Sequence, residues 1–152
     1  AHQVEATKPR YLSIERLDIK SRVKESTVNS EVLAVPQNIY DVMWSAGSSK
    51  PSQGGVILMS GLSRGETKAG AFANLDSLEK GDKIEIELGN GSKYTYKVSE
   101  IRIVDAYDAE NELPSIQRRI DDKETLSLVT AIEKSDAETD YASIVIVRAV
   151  LN

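Results

Sequence analysis

Residues 83–98 constrain the fold more than any other stretch of the chain. From 83 to 88 the residues alternate strictly. Ile84, Ile86 and Leu88 fall on one face, and Lys83, Glu85 and Glu87 on the other. Successive side chains of a β-strand point to opposite faces, so this pattern buries one face and wets the other. Asn90-Gly91 follows, and Tyr94, Tyr96 and Val98 resume the two-residue period. Asparagine and glycine tolerate the positive φ of a tight turn, which predicts a β-hairpin. Ile101 and Ile103 extend its second strand.

Further strand signals surround the hairpin. Tyr11, Leu12 and Ile14 open a short β segment, and Leu17, Ile19 and Val23 continue it. Residues 29–36 alternate short apolar pieces with polar ones, and 42–44 read as a short extended piece. Residues 45–55 are rich in Ser, Gly, Lys and Pro, the composition of a loop. The run GVILM (55–59) has strand length and no polar face, as expected of a buried central strand. A Gly-rich loop spans 61–70. Phe72, Leu75 and Leu78, three residues apart, predict a short helix over 71–78, ended by Lys80-Gly81-Asp82. Residues 105–124 form a long polar connection with a helical turn expected in 113–120. Strands at 125–130 and 142–151 flank an acidic loop, 132–140. No internal repeat or domain boundary breaks the order. Residues 1–9 therefore read as a polar leader, and 10–152 as one all-β domain, a sandwich or closed barrel.

Composition narrows the chemistry. A chain of 152 residues suits one sizeable core. A net charge of -5 argues against a general nucleic-acid binder, because phosphates would be repelled. No apolar run is long enough to span a membrane. The first residue is alanine, so the N-terminus is expected to be trimmed, with any anchor segment upstream. With no cysteine, disulfides and thiolate metal sites are excluded. The single histidine is His2, expected to be disordered or tag-derived. It leaves no internal imidazole for acid–base work and no His-based zinc site.

Four blocks of sequence resemble the sortases, the cysteine transpeptidases of bacterial cell surfaces. They are YLSIERLDIKSRV (11–23), GGVILMSGLSRGETKAGAFANLDSLEKGD (54–82), the hairpin that follows, and TLSLVTA (125–131) with the final strand. The resemblance implies the sortase fold, an eight-stranded β-barrel with short helices and loops. It also implies a site of three residues. A cysteine attacks the threonine carbonyl of a sorting signal, giving a thioacyl intermediate. A histidine protonates the leaving amine, and an arginine stabilises the charge that develops on the carbonyl oxygen. The family's TL-x-LVTC places the cysteine at Ala131. Its G-H places the histidine at Leu62, and the arginine that opens the last strand falls at Ile144. Arg148 lies four residues along that strand, roughly 13 Å of extended chain. It reads as an outward-facing or edge charge.

On this resemblance the chain is expected to be a non-catalytic sortase-like domain. It would sit on the extracellular face of the bacterial envelope, anchored through an upstream helix. It would bind a peptide or surface protein through the inherited groove, or act structurally. The alternative is a sortase transpeptidase whose nucleophile was removed by engineering. Thr130, Ser63 and Arg148 are the candidate groove residues beside Ala131, Leu62 and Ile144.

Other signals are weaker. Gly61-Leu62-Ser63-Arg64-Gly65 matches the G-x-S-x-G nucleophile elbow, but no histidine follows it. Thr130 reads as a strand-end threonine bonded to the backbone rather than a substitute nucleophile. Asp105, Asp108, Glu110 and Glu112, and separately Glu133, Asp136, Glu138 and Asp140, offer the oxygen ligands that calcium takes. A solvated acidic loop is the simpler reading of each, and no metal or other cofactor is expected. Trp44, Tyr94 and Tyr96 are candidates for a groove lining, with core packing the simpler account.

Overall fold

A computed structural model describes residues 2–26, 36–65, 67–133 and 141–152. Eight strands form it: β1 (Pro9–Ile14), β2 (Ile19–Ser26), β3 (Val42–Ser45), β4 (Val56–Gly61), β5 (Lys83–Leu88), β6 (Lys93–Asp105), β7 (Thr125–Glu133) and β8 (Tyr141–Leu151). They close into a barrel in the order β1-β2-β3-β4-β7-β8-β6-β5. The β2–β3 and β4–β7 pairs are parallel and the rest antiparallel. Closure leaves the sheet without an edge strand among the described residues. No helix among the described residues is long and apolar enough to cross a membrane.

The interior follows the alternation read from sequence. Ile84, Ile86 and Leu88 of β5 meet Tyr96 and Val98 of β6, Leu126 and Leu128 of β7, and Val145, Val147 and Ala149 of β8. Ile57 and Met59 point into the same core, whereas Leu58 packs in a second cluster outside the barrel wall. Both faces of β4 are therefore covered, and its run of apolar residues follows from that.

Several expectations change in detail. The hairpin turn has three residues, 89–91, and among the described residues of the turn only Gly91 has positive φ, at 89°. This is the glycine position of a three-residue loop. Asn90 instead accepts a hydrogen bond from the Ser92 amide on its Oδ1 (2.9 Å). The helix expected over 71–78 is a turn followed by a 3-10 helix, Leu75–Ser77. Phe72 and Leu78 flank this 3-10 helix, and with Leu75 they are buried in the barrel core. The helical turn expected in 113–120 is helix α1, Ala109–Ile116, entered from a 3-10 turn over Ala106–Asp108. The expectations for residues 29–35 and 134–140 lie outside the described residues.

The leader also differs from expectation. Its described part packs on the barrel, and β1 starts within it at Pro9. The His2 ring meets Tyr11 edge-on, and its Nε2 lies 3.1 Å from the Val23 carbonyl oxygen. The amides of Gly89 and Asn90 donate to the carbonyls of Lys8 and Ala6. Lys8 pairs with Glu25 at 2.8 Å.

At one end of the barrel a single carboxylate organises the loop before β4. Glu124, 6% exposed, accepts from Tyr96 Oη (2.5 Å), the Gly54 amide (2.8 Å) and the Ser52 amide (3.1 Å). Burial, reinforced by this hydrogen bond to Glu124, pushes the Tyr96 phenol far above its ordinary value. The fold thus favours the protonated phenol. Its stabilisation is complete below about pH 10 and is lost as pH rises further, because only the unfolded chain ionises there. Of the six tyrosines, Tyr96 is expected to stay protonated until the barrel opens, read as phenolate absorbance against circular dichroism. Ionisation of all six with the fold intact would contradict this.

Candidate functional site

The three positions matched to the catalytic residues converge at the opposite end of the barrel. Ala131 near the end of β7 and Ile144 on β8 are direct cross-strand partners. Leu62 follows β4 and is fixed by its neighbours. Thr130 Oγ1 donates to the Gly61 carbonyl (2.8 Å), and Ser63 Oγ donates to the Ala131 carbonyl (2.8 Å). Gly70 closes the loop from the other side, its amide donating to the Ser63 carbonyl. A Cβ at Gly70 would stand 2.2 Å from the Leu62 carbonyl oxygen, so no larger residue fits without moving the loop.

The side chains at this corner are aliphatic. Ile144 is 5% exposed, and Ala131 and Leu62 are partly buried. Leu58, Val129, Ile144 and Ile146 form the second apolar cluster with Ile116 of α1, flanked by Val104, Ala109 and Ala131. None of these can donate a proton, attack a carbonyl or stabilise an oxyanion.

The candidate groove residues divide: Thr130 is the backbone-bonded strand-end threonine expected of it, and Ser63 lies beside Ala131. Thr130 does not line a groove: it is 2% exposed, on the inward-facing side of β7, with its hydroxyl bonded to Gly61. Ser63 stands beside Ala131, but its hydroxyl is engaged by the Ala131 carbonyl. Among the described residues no helix follows it: the Gly65 amide donates to the Lys68 carbonyl and Arg64 bridges to Ala69. That rules out the nucleophile-elbow geometry.

Arg148 faces outward from the barrel, as expected, but it is not an exposed or edge charge. It is 4% exposed, on the outer barrel face shared with Ile144 and Ile146 but away from Ala131. Its Nε donates to Ser127 Oγ (3.1 Å), its Nη2 donates to the Arg118 carbonyl, and its Nη1 lies 3.8 Å from Glu100. Burial pulls the guanidinium below its ordinary range, with Glu100 opposing the shift. Its outward face agrees with the sequence reading. Its burial depends on α1 and the residues after it, which the sequence pattern placed only loosely.

The remaining candidates are structural. Trp44 is buried and donates through Nε1 to the Ser49 carbonyl (3.1 Å), and Tyr96 is a core residue. Asp105 Oδ1 accepts from the Tyr107 amide (2.9 Å), and Glu112 pairs with Arg102. Among the described residues no three His, Asp or Glu side chains are grouped to hold a metal. Asp136, Glu138 and Asp140, and the side chain of Glu133, lie outside the described residues.

Barrel order and the sequence blocks are those of a sortase domain. The chain belongs to the sortase family, whose domain matches residues 12–152. Among solved structures it resembles sortase C1 from Streptococcus agalactiae, with a TM-score of 0.71 and 25% identity over 98% of this chain and 70% of that one. A lid mutant of sortase A from Corynebacterium diphtheriae gives 0.70 and 20%, over 98% and 72% of the respective chains. Sortase C from Clostridium perfringens gives 0.65 and 19%, over 99% and 72%. No curated protein sequence matches. The chain is thus a sortase-family β-barrel without a cysteine.

Proposed function

We propose that this chain is a non-catalytic sortase domain on the extracellular face of the bacterial envelope, tethered through a segment upstream. It serves as a binding or structural module rather than a transpeptidase. The observation that carries this reading is the corner formed by Leu62, Ala131 and Ile144. All three positions matched to the family's chemistry hold aliphatic side chains, and two of them belong to one apolar cluster. Cleavage of a sorting signal needs a nucleophile, a proton donor and positive charge at the oxyanion, and the corner supplies none. A peptide or surface protein with apolar side chains suits this lining better than a charged ligand does. The acidic net charge of -5 disfavours nucleic acid.

Titration with a sorting-signal peptide, followed by NMR, tests the binding role. The peptide is expected to remain uncleaved and to shift the amides of Leu62, Ala131 and Ile144. Unchanged spectra at millimolar peptide would eliminate groove binding and leave the structural role.

A further inference from the structure

A row of polar side chains crosses the outer barrel wall on β2, β1, β5 and β6, away from the Ala131 corner. The register sets Lys20 beside Ser13, Ser13 beside Glu85, and Glu85 beside Thr95. Neighbouring strands stand about 4.8 Å apart, so the row runs roughly 14 Å across the wall. The chain neighbours Leu12, Ile14, Ile84 and Ile86 fill the core, so alternation turns Ser13 and Glu85 outward. In the closed order β1 stands four strands from β7 in either direction.

The wall is concave at this row and forms a pocket of about 370 Å³. Ser13, Glu85 and Thr95 line it and are half-buried. Glu15 and Asp18, from the turn between β1 and β2, line it with exposed side chains, as do Lys20 and Lys83. Charges just outside the pocket are paired. Glu87, two residues along β5 on the same face, meets Arg10 at 2.5 Å, and Arg16 of the same turn meets Asp82 at 3.2 Å. The charges inside it are not. Among the described residues, no hydrogen bond or ion pair engages the side chains of Glu15, Asp18, Lys83, Ser13 or Thr95. Lys20 Nζ lies 4.9 Å from the Tyr11 ring centroid, and Glu85 reaches only Lys93, at 3.9 Å.

Carboxylates and ammonium groups thus face one cavity with both signs of charge uncommitted. A lone anion placed there is repelled by the carboxylates, and a lone cation by the lysines. A ligand that carries both charges satisfies both sets, through hydrogen bonds that ionised partners strengthen. The hydroxyls of Ser13 and Thr95 donate and accept, so they suit either end of it. The volume lies within the roughly 300–1,000 Å³ of small-molecule sites. We infer that this pocket is a binding site for a small zwitterion of amino-acid or dipeptide size. Glu15 and Asp18 hold its ammonium, and Lys83 holds its carboxylate. The site is independent of the reading of the Ala131 corner.

Titration of aminocaproate into the whole chain, followed by amide NMR shifts, tests the site. The zwitterion is expected to shift Ser13, Lys20, Glu85 and Thr95 and to leave Leu62, Ala131 and Ile144 unmoved. N-acetylaminocaproate lacks the ammonium, and aminocaproamide lacks the carboxylate. Each is expected to bind about threefold more weakly, the effect of losing one exposed ion pair. Lys83→Gln is expected to weaken aminocaproate by the same factor without changing aminocaproamide. Asp18→Asn is expected to weaken aminocaproate without changing N-acetylaminocaproate. Both side chains are exposed, so the variants keep the parent's melting temperature. No shift in the pocket at tens of millimolar ligand, or equal affinity for all three compounds, would overturn the site. A variant that weakens aminocaproate and its matching capped compound alike would overturn the assigned charge contacts.

Discussion

Glu124→Ala is expected to lower barrel stability by roughly 3 kcal/mol, a fall in Tm of about 6–12 °C for a domain of this size. The loss follows from three donors that converge on one buried carboxylate. Tyr96 Oη and the amides of Ser52 and Gly54 all lose their acceptor. Tyr96 is fully buried, so water does not replace its partner without opening the core. The amide partners sit in a turn with left-handed backbone at Ser52 (φ 77°) and Gly54 (φ 78°). Left-handed backbone at a serine is unfavourable, and the bond to Glu124 helps to hold it there. Glu124→Gln keeps an oxygen acceptor and is expected to cost less, about 1 kcal/mol. Thermal melts of the two variants check the order. An alanine variant as stable as the parent would show that the carboxylate is not a clamp. Because Glu124 sits at the far end of β7, the amides of Leu62, Ala131 and Ile144 should not shift in either variant.

The sequence made the barrel wall legible and left what covers the wall obscure. Alternation in 83–98 gave β5 and β6 with the correct inward faces, and the apolar runs gave β4 and β7. Arg148 reads from the sequence as outward-facing, which is correct, but its burial is not legible there. A period of two says which way a side chain points, and only tertiary packing says whether water reaches it. The cover here is α1, whose acidic first turn and internal Pro114 made it read as a polar connection. Acidic residues favour a helix N-terminus through the helix dipole, so that composition was compatible with α1 without announcing it. Glu124 was hidden for a related reason. A lone glutamate before a strand carries no pattern, and its role comes from Tyr96 and a distant loop.

The candidate site divides in the same way. Leu62, Ala131 and Ile144 were found by their place in family blocks, and the fold brings them to one corner. Thr130 stands among the candidate groove residues, but its other reading, a strand-end threonine bonded to the backbone, is the one the structure bears out. Its position one residue before Ala131 puts it on the opposite face of β7, inside the barrel.

The single variant Ala131→Cys, mixed with a sorting-signal peptide and followed by intact-mass spectrometry, tests the proposed loss of catalysis most directly. The variant restores sulfur at the matched position and nothing else. Leu62 cannot protonate the leaving amine, Ile144 cannot stabilise the oxyanion, and the apolar surroundings favour the thiol over the reactive thiolate. The predicted result is an unmodified protein and an intact peptide, even where a thiol reagent labels the new cysteine. A thioacyl adduct with release of the peptide's C-terminal fragment would contradict the account. It would show that the fold still carries transpeptidase machinery lacking only its nucleophile.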